Sequence, residues 1–243
     1  ACHTNSAQGG KPLAGGVRLP TDFGTFYSPN LTTDPEHGIG DWNLEDFARA
    51  LRQGVAPDGS PYFPSFPYPF YSSLSDQDVA DLWAAFKTVP PVAEASKEHD
   101  MLPPFNLRAG LKVWRARYYD PAPFSPDPGK SDLWNRGKFI VEGPAHCGAC
   151  HTPRNLLGAR DPDRYWAGAE IEGRKSPNIT ADPKVGVGAW SAGELDDVLV
   201  MGMKPDGDFV GGAMGQVVDS TSALSESDRA ALIAYMQSVP PLQ

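Results

Sequence analysis

Cysteine is scarce in this chain: three among 243 residues, at positions 2, 147 and 150. Two of them stand close together in a C-x-x-C, so no disulfide framework can be drawn. Basic residues are outnumbered, 21 Lys and Arg against 30 Asp and Glu, for a formal charge of −9. That balance excludes nucleic acid as a partner, because such binding rests on cations neutralising phosphates. No apolar run approaches the ~20 residues that cross a bilayer, so no membrane span is expected in the chain. Convincing apolar–polar alternation is missing, and with it any βαβ pattern. Turn formers are plentiful instead, with 25 Pro and 25 Gly, while 40% hydrophobic content argues against disorder.

Against that background two short strings stand out. Cys147-Gly148-Ala149-Cys150-His151-Thr152 is a complete C-x-x-C-H, the attachment signature of a c-type haem. Ala1-Cys2-His3-Thr4 is the tail of the same signature. In this reading Cys147 and Cys150 form thioethers and His151 is the proximal iron ligand. Cys2 and His3 take those roles at a first site. A redox dithiol would sit near a βαβ pattern. Zinc would need four ligands, which Cys2 and His3 could help to supply, but zinc does not account for what surrounds the strings.

The surroundings repeat. A shift of 148 positions lays Ala1-Cys2-His3-Thr4 on Ala149-Cys150-His151-Thr152 and Ser28-Pro29-Asn30 on Ser176-Pro177-Asn178. It also matches Trp42 with Trp190 and Pro57-Asp58-Gly59 with Pro205-Asp206-Gly207. Further on the shift becomes 150, pairing Leu74 with Leu224 and Pro90-Pro91 with Pro240-Pro241. The second copy therefore carries two extra residues between Gly207 and Leu224.

Each copy predicts helices. Asn43-x-x-Asp46 and Ser191-x-x-Glu194 have capping character, and the apolar spacing after them runs to Gly54 and Gly202. A second pair starts at Ser75 and Ser225 and stops at Val-Pro-Pro. The expected fold is all-α and loop-rich: two tandem cytochrome c-like domains, each around one covalent haem. Residues 1–91 form domain 1, residues 92–130 a connector with a short helix from Asn106 to Tyr119, and residues 131–243 domain 2. By the 148 shift, the first copy's approach helix and first Cys would precede Ala1, so the chain is read as clipped.

The expected cofactors are two covalently bound haem c groups. For the second, Met214 in Gly211-Gly212-Ala213-Met214 is the distal ligand, on a glycine-rich loop; Met201, Met203 and Met236 fit core roles better. The first copy has Phe66 or Pro64 at that place. Its remaining candidates are Met101, whose bland reading is core filler, His99 and Tyr68, or a five-coordinate iron. The two sites are expected to differ in ligation. Trp42 and Trp190 are read as packing on the porphyrin edge. Asn30 and Asn178 head Asn-x-Thr triplets, formally glycosylation acceptors, and are read as turn or haem-edge hydrogen bonders. Arg154 is a candidate propionate partner, with a solvated charge as the plain alternative.

These strings, with Gly9-Gly10-Lys11-Pro12, Gly38-Ile39-Gly40-x-Trp42, Pro104-Phe105-Asn106-x-Arg108 and Trp134-Asn135-Arg136-Gly137, resemble the multihaem cytochrome c subunits of bacterial membrane-associated alcohol, aldehyde, gluconate and related dehydrogenases. The resemblance spans nearly the whole chain. It implies a periplasmic, non-catalytic subunit that passes electrons towards quinone or the respiratory chain. The implied partners are a molybdenum, flavin or quinoprotein dehydrogenase and a downstream acceptor. It also implies that a third haem domain and an anchoring helix, present in many relatives, are absent or removed here. The competing reading is a dihaem enzyme of peroxidase or thiosulfate-oxidising type, with chemistry at the first haem. A purely structural binding module is a third.

Overall fold

The computed structural model describes residues 2–171 and 173–242. Ala1, which opens the shorter Cys-His-Thr string, lies outside the described residues, as do Glu172 and Gln243. The chain divides into two compact units, one ending at Pro123 and the other starting at Phe124.

In the first unit, β1 (Arg18–Thr21) and β2 (Gly24–Tyr27) form an antiparallel hairpin with Arg18 opposite Tyr27. A third strand, β3 (Asp100–Met101), joins along β2 with Met101 opposite Gly24. The helix α1 (Leu44–Ala48) starts at Asn43, whose side chain and that of Asp46 form the expected capping box. It runs on as a π-helical turn, Arg49–Gln53, closed by Gly54 at φ 62°. Two further helices follow, α2 (Tyr68–Tyr71) and α3 (Asp76–Phe86), the latter from a second capping box at Ser75. Phe47 of α1 packs on Trp83 and Phe86 of α3, ring centroids 5.0 and 5.4 Å away. Beyond these, α4 (Ala109–Tyr118) covers Phe26 and Phe63 with Leu111. Both β3 and α4 come from the segment that repeats nothing, and both belong to the first unit.

The second unit opens with α5 (Asp132–Glu142) and the single turn α6 (Gly148–His151). A hairpin of β4 (Ala169–Ile171) and β5 (Arg174–Ser176) follows, then α7 (Ala192–Met201), α8 (Ala213–Thr221) and α9 (Glu226–Met236). The core lies where α5 crosses α9: Ile140 and Val141 meet Leu232, Tyr235, Met236 and Val239, with Trp166 beside them. Gly137 permits the crossing, since a Cβ there would stand 1.9 Å from the Ala231 carbonyl oxygen. Trp134 Nε1 donates to Ser238 Oγ at 2.6 Å, and Arg136 pairs with Asp228 at 2.7 Å. Trp134, Arg136 and Gly137 of the Trp-Asn-Arg-Gly string thus meet α9 and the residues after it, while Asn135 ties down the segment before α5 through Asp127.

The expectation of an all-α fold is corrected: the protein is mixed, with a three-stranded and a two-stranded antiparallel sheet beside its helices. The strands are two to four residues long. Alternation needs about four to eight residues to register in a sequence, so pieces this short leave no periodic trace.

Candidate functional site

The two histidines of the Cys-His-Thr strings occupy the same local frame. His151 Nδ1 lies 2.7 Å from the Pro177 carbonyl oxygen, and His3 Nδ1 lies 2.9 Å from that of Pro29. A carbonyl can only accept, so Nδ1 carries the proton and Nε2 keeps its lone pair. The histidine carbonyls accept from Gly168 and Gly15 at 2.9 Å. The next threonines, Thr152 and Thr4, accept through Oγ1 from the backbone N–H of Trp166 and Leu13, at 3.1 and 3.0 Å. Trp166 and Leu13 both sit at positive φ, 65° and 58°. Gly15, at φ 79°, runs so close to the Ser28-Pro29 strand end that a Cβ would stand 2.5 Å from the Ser28 oxygen. Burial lowers the pKa of both histidines from the ordinary 6.5, against the bonds to the proline carbonyls, which raise it. The imidazoles are held neutral, the form that ligates metal.

At the second histidine, Cys147 and Cys150 flank one helical turn, and no disulfide joins them. Burial pushes the Cys147 thiol up to about 12, so the thiolate is disfavoured and a neutral thioether suits the place. Next to the turn, the buried Trp166 Nε1 has no acceptor. It lies where a Cβ on Gly148 would stand 3.0 Å away. An unmatched buried donor costs about 1–3 kcal/mol, and a bound group carrying acceptor oxygens would satisfy it.

Met214 is half-buried in the first turn of α8, not on the loop expected for it. The backbone shows how it arrives there. Tyr62 and Val210 donate to Gly54 and Gly202, each at 2.8 Å, so the 148 register still holds at that point. Tyr68 and Val218 then occupy matching buried places and accept from Ser72 and Ser222, the 150 register. The two extra residues therefore fall within 211–217, the stretch that carries Met214. Its counterpart by the later register is Pro64, while Phe66 joins a ring cluster with Tyr62 and Tyr71 at 5.8 and 6.0 Å. Tyr71 is raised to about 12, chiefly by burial and then by the charge of the neighbouring Cys2. The first unit therefore presents aromatic rings where the second has a thioether.

The other residues singled out in the sequence have structural posts. Met101 lies in β3 and packs on Phe26, Phe63 and Leu111. His99 Nδ1 accepts from the Tyr27 N–H at 3.2 Å, which puts the proton on Nε2, the opposite tautomer to His3 and His151. Tyr68 is fully buried against Tyr119 and the Arg115 guanidinium. Asn30 spends its whole amide on the chain: Oδ1 accepts from Thr32 N and Oγ1, and Nδ2 donates to Val92 and Glu94. Asn178 repeats this with Thr180 and Leu242. These asparagines clamp the segment after each last helix. Trp190 packs with Val187, Leu195 and Ile233, and Trp42 repeats its turn through N–H bonding to Ile39. Arg154 donates to the carbonyls of Gly158 and Ala149, at 2.7 and 2.9 Å, and so fastens the loop after the thiol pair.

No family model matches the chain. Curated relatives do. A "diheme cytochrome c-type" protein of Cereibacter sphaeroides is 44% identical over 248 residues, covering all of this chain and 82% of that protein. The chain belongs to this family of bacterial c-type cytochromes. The fructose dehydrogenase cytochrome subunit of Gluconobacter japonicus is 40% identical, and the gluconate 2-dehydrogenase cytochrome c subunit of Pantoea cypripedii 38%. The chain spans about half the length of these two, 50% and 56%. Both are named as the cytochrome subunit of a dehydrogenase.

The expectation of two covalently bound haem c groups is corrected. Each complete attachment takes two thiols, so two attachments need four, and the chain has three. Among the described residues, no group of three or more His, Cys, Asp or Glu gathers to hold a metal ion. The histidine frames, by contrast, were half legible: Ser-Pro-Asn recurs in the sequence, but the role of the proline carbonyl does not show until the chain is folded.

Proposed function

We propose that the second unit carries a single covalently attached haem and passes electrons from a partner dehydrogenase towards quinone or a downstream acceptor in the periplasm. The observation that supports this most is the His151 frame: Nδ1 is tied to Pro177, which leaves the Nε2 lone pair for a ligand, beside the only complete thiol pair in the sequence. In this reading Cys147 and Cys150 would tether the group through thioethers, and His151 Nε2 would ligate its iron. Met214 would supply a second ligand, a soft thioether that favours the reduced state. When bound, the haem supplies one-electron exchange. The chain's own residues hold it in place: Pro177 and Gly168 fix the imidazole, Arg154 fastens the following loop, and Trp166 offers its indole N–H. Among the described residues no helix is long and apolar enough to cross a membrane. The names of the relatives, subunits of fructose, nicotinate, quinone-type alcohol and gluconate dehydrogenases, support a dehydrogenase partner.

The test is a redox titration of the full chain and its Met214→Ala variant, followed by visible spectra. The proposal expects a low-spin wild type and, in the variant, a high-spin spectrum with a lower midpoint potential. An unchanged potential and spectrum in the variant would remove Met214 from the assignment. A chain that a reduced dehydrogenase of this class cannot reduce would remove the electron-transfer role.

A further inference from the structure

The first unit contains a cleft of about 460 Å³ that the histidine frame does not use. Arg52, Gln53 and Ser72 line it, with Leu74, Arg115 and Tyr119, and prolines close one wall. Two guanidinium groups reach it, and both are incompletely paired. Arg52 spends one nitrogen on Asp76, at 2.7 Å, while its Nε and second terminal nitrogen are buried without partners. Among the described residues Arg115 makes no ion pair; its ring neighbours are Tyr68 and Tyr119, 5.1 and 4.7 Å from the guanidinium carbon. One of its terminal nitrogens is also buried without an acceptor, and the guanidinium lies beside the buried Tyr68 hydroxyl.

Buried donors on charged groups are costly unless an acceptor meets them. Here both arginine side chains line one cleft whose lining holds no carboxylate, and Asp76, the partner of Arg52, has a side chain that is 98% exposed. Tyr119 holds Arg52 in place by donating its hydroxyl to the Arg52 carbonyl. The Arg52 fork is set by its pair with Asp76 and the Arg115 fork by the Tyr68 and Tyr119 rings, a geometry suited to carboxylate or phosphate oxygens. The volume falls in the range of small-molecule sites, and Leu74 and the prolines supply an apolar wall.

We propose that this cleft is a binding site for a small organic anion, its acid group held between Arg52 and Arg115 and its body against Leu74 and the prolines. The site shares no residue with the thiol pair or Met214, so it stands or falls separately from the haem assignment. Calorimetric titration of the full chain with citrate, with inorganic phosphate and with glycerol as a neutral control tests it. The expected result is saturable binding of one citrate per chain, weaker binding of phosphate, which lacks an organic body, and none of glycerol. Arg115→Gln and Arg52→Gln should each weaken citrate at least tenfold. Arg115→Lys, which keeps the charge and loses the fork, should fall between them and the wild type and guards against misfolding of the neutral variants. No saturable citrate binding, or equal affinity in Arg115→Lys and wild type, would overturn the proposal.

Discussion

At the scale of single residues, the decisive feature is how each histidine is held. His3 and His151 give Nδ1 to a proline carbonyl, whereas His99 accepts through Nδ1. The two framed histidines therefore share one tautomer and His99 takes the other. Backbone tolerance follows the same frame. Gly15→Ala must place a Cβ 2.5 Å from the Ser28 oxygen at φ 79°, and should cost about 3 kcal/mol. Gly59→Ala, at φ 83° with nothing within 4 Å, should cost only about 1 kcal/mol. Urea unfolding of the pair checks the difference; equal losses would mean that the strand-end contact is not the constraint. Some of this was legible in the sequence. The Cys-x-x-Cys-His string, the Ser-Pro-Asn repeat and the caps could be read because they rest on local chemistry. The work of Asn30, Arg154 and the Thr4–Leu13 bond could not, because each partner is set by a loop closing back on itself.

At the scale of elements, the repeated helices were predicted from apolar spacing and capping pairs, and α1, α3, α7 and α9 begin at the residues that signalled them. The hairpins escaped notice because a strand of four residues has no measurable period. In the sequence the two-residue insertion was bounded only by Gly207 and Leu224, and the hydrogen bonds of Gly54 and Gly202, with those of Ser72 and Ser222, narrow it to 211–217. Packing gives a sharp expectation here. Gly137→Ala cannot be accommodated without moving α5 off α9, because of the 1.9 Å approach to Ala231. It should destabilise the second unit by about 3 kcal/mol, read as a lower urea midpoint, whereas an unchanged midpoint would place the core elsewhere. Ser191→Ala removes one capping box and should cost about 1 kcal/mol. The sheet of the first unit carries a pH dependence. Burial, then the nearby Arg108 charge, lowers the pKa of His99 from the ordinary 6.5. The neutral ring is therefore the folded form, and its contribution is complete above pH 6.5 and is lost as pH falls below that value towards the folded pKa. Protonation also removes the acceptor for Tyr27, worth about 1 kcal/mol. Melting temperature across this range should slope less steeply in His99→Gln than in the wild type, the remaining slope coming from His3 and His151; parallel slopes would contradict the assignment.

At the scale of the whole molecule, one unit has been used twice and then changed on the far side of the histidine. Both copies keep the histidine frame and the asparagine clamp after the last helix. The second adds residues that bring Met214 into α8; the first fills the same region with Phe66 and its ring neighbours. Leu82 of α3 is 37% exposed and its counterpart Leu232 only 4%, because α5 covers α9. The two units are thus similar in plan and different in finish. The central claim is that the second unit is a covalent haem station built on Cys147, Cys150 and His151. Mass spectrometry of the denatured full chain and its proteolytic peptides, after export in a host able to attach haem, tests it directly. The account predicts that the peptide spanning 147–151 carries the mass of one haem, resistant to acid extraction and lost in the Cys147→Ser, Cys150→Ser double variant. An unmodified 147–151 peptide in chain that has received haem elsewhere would contradict it.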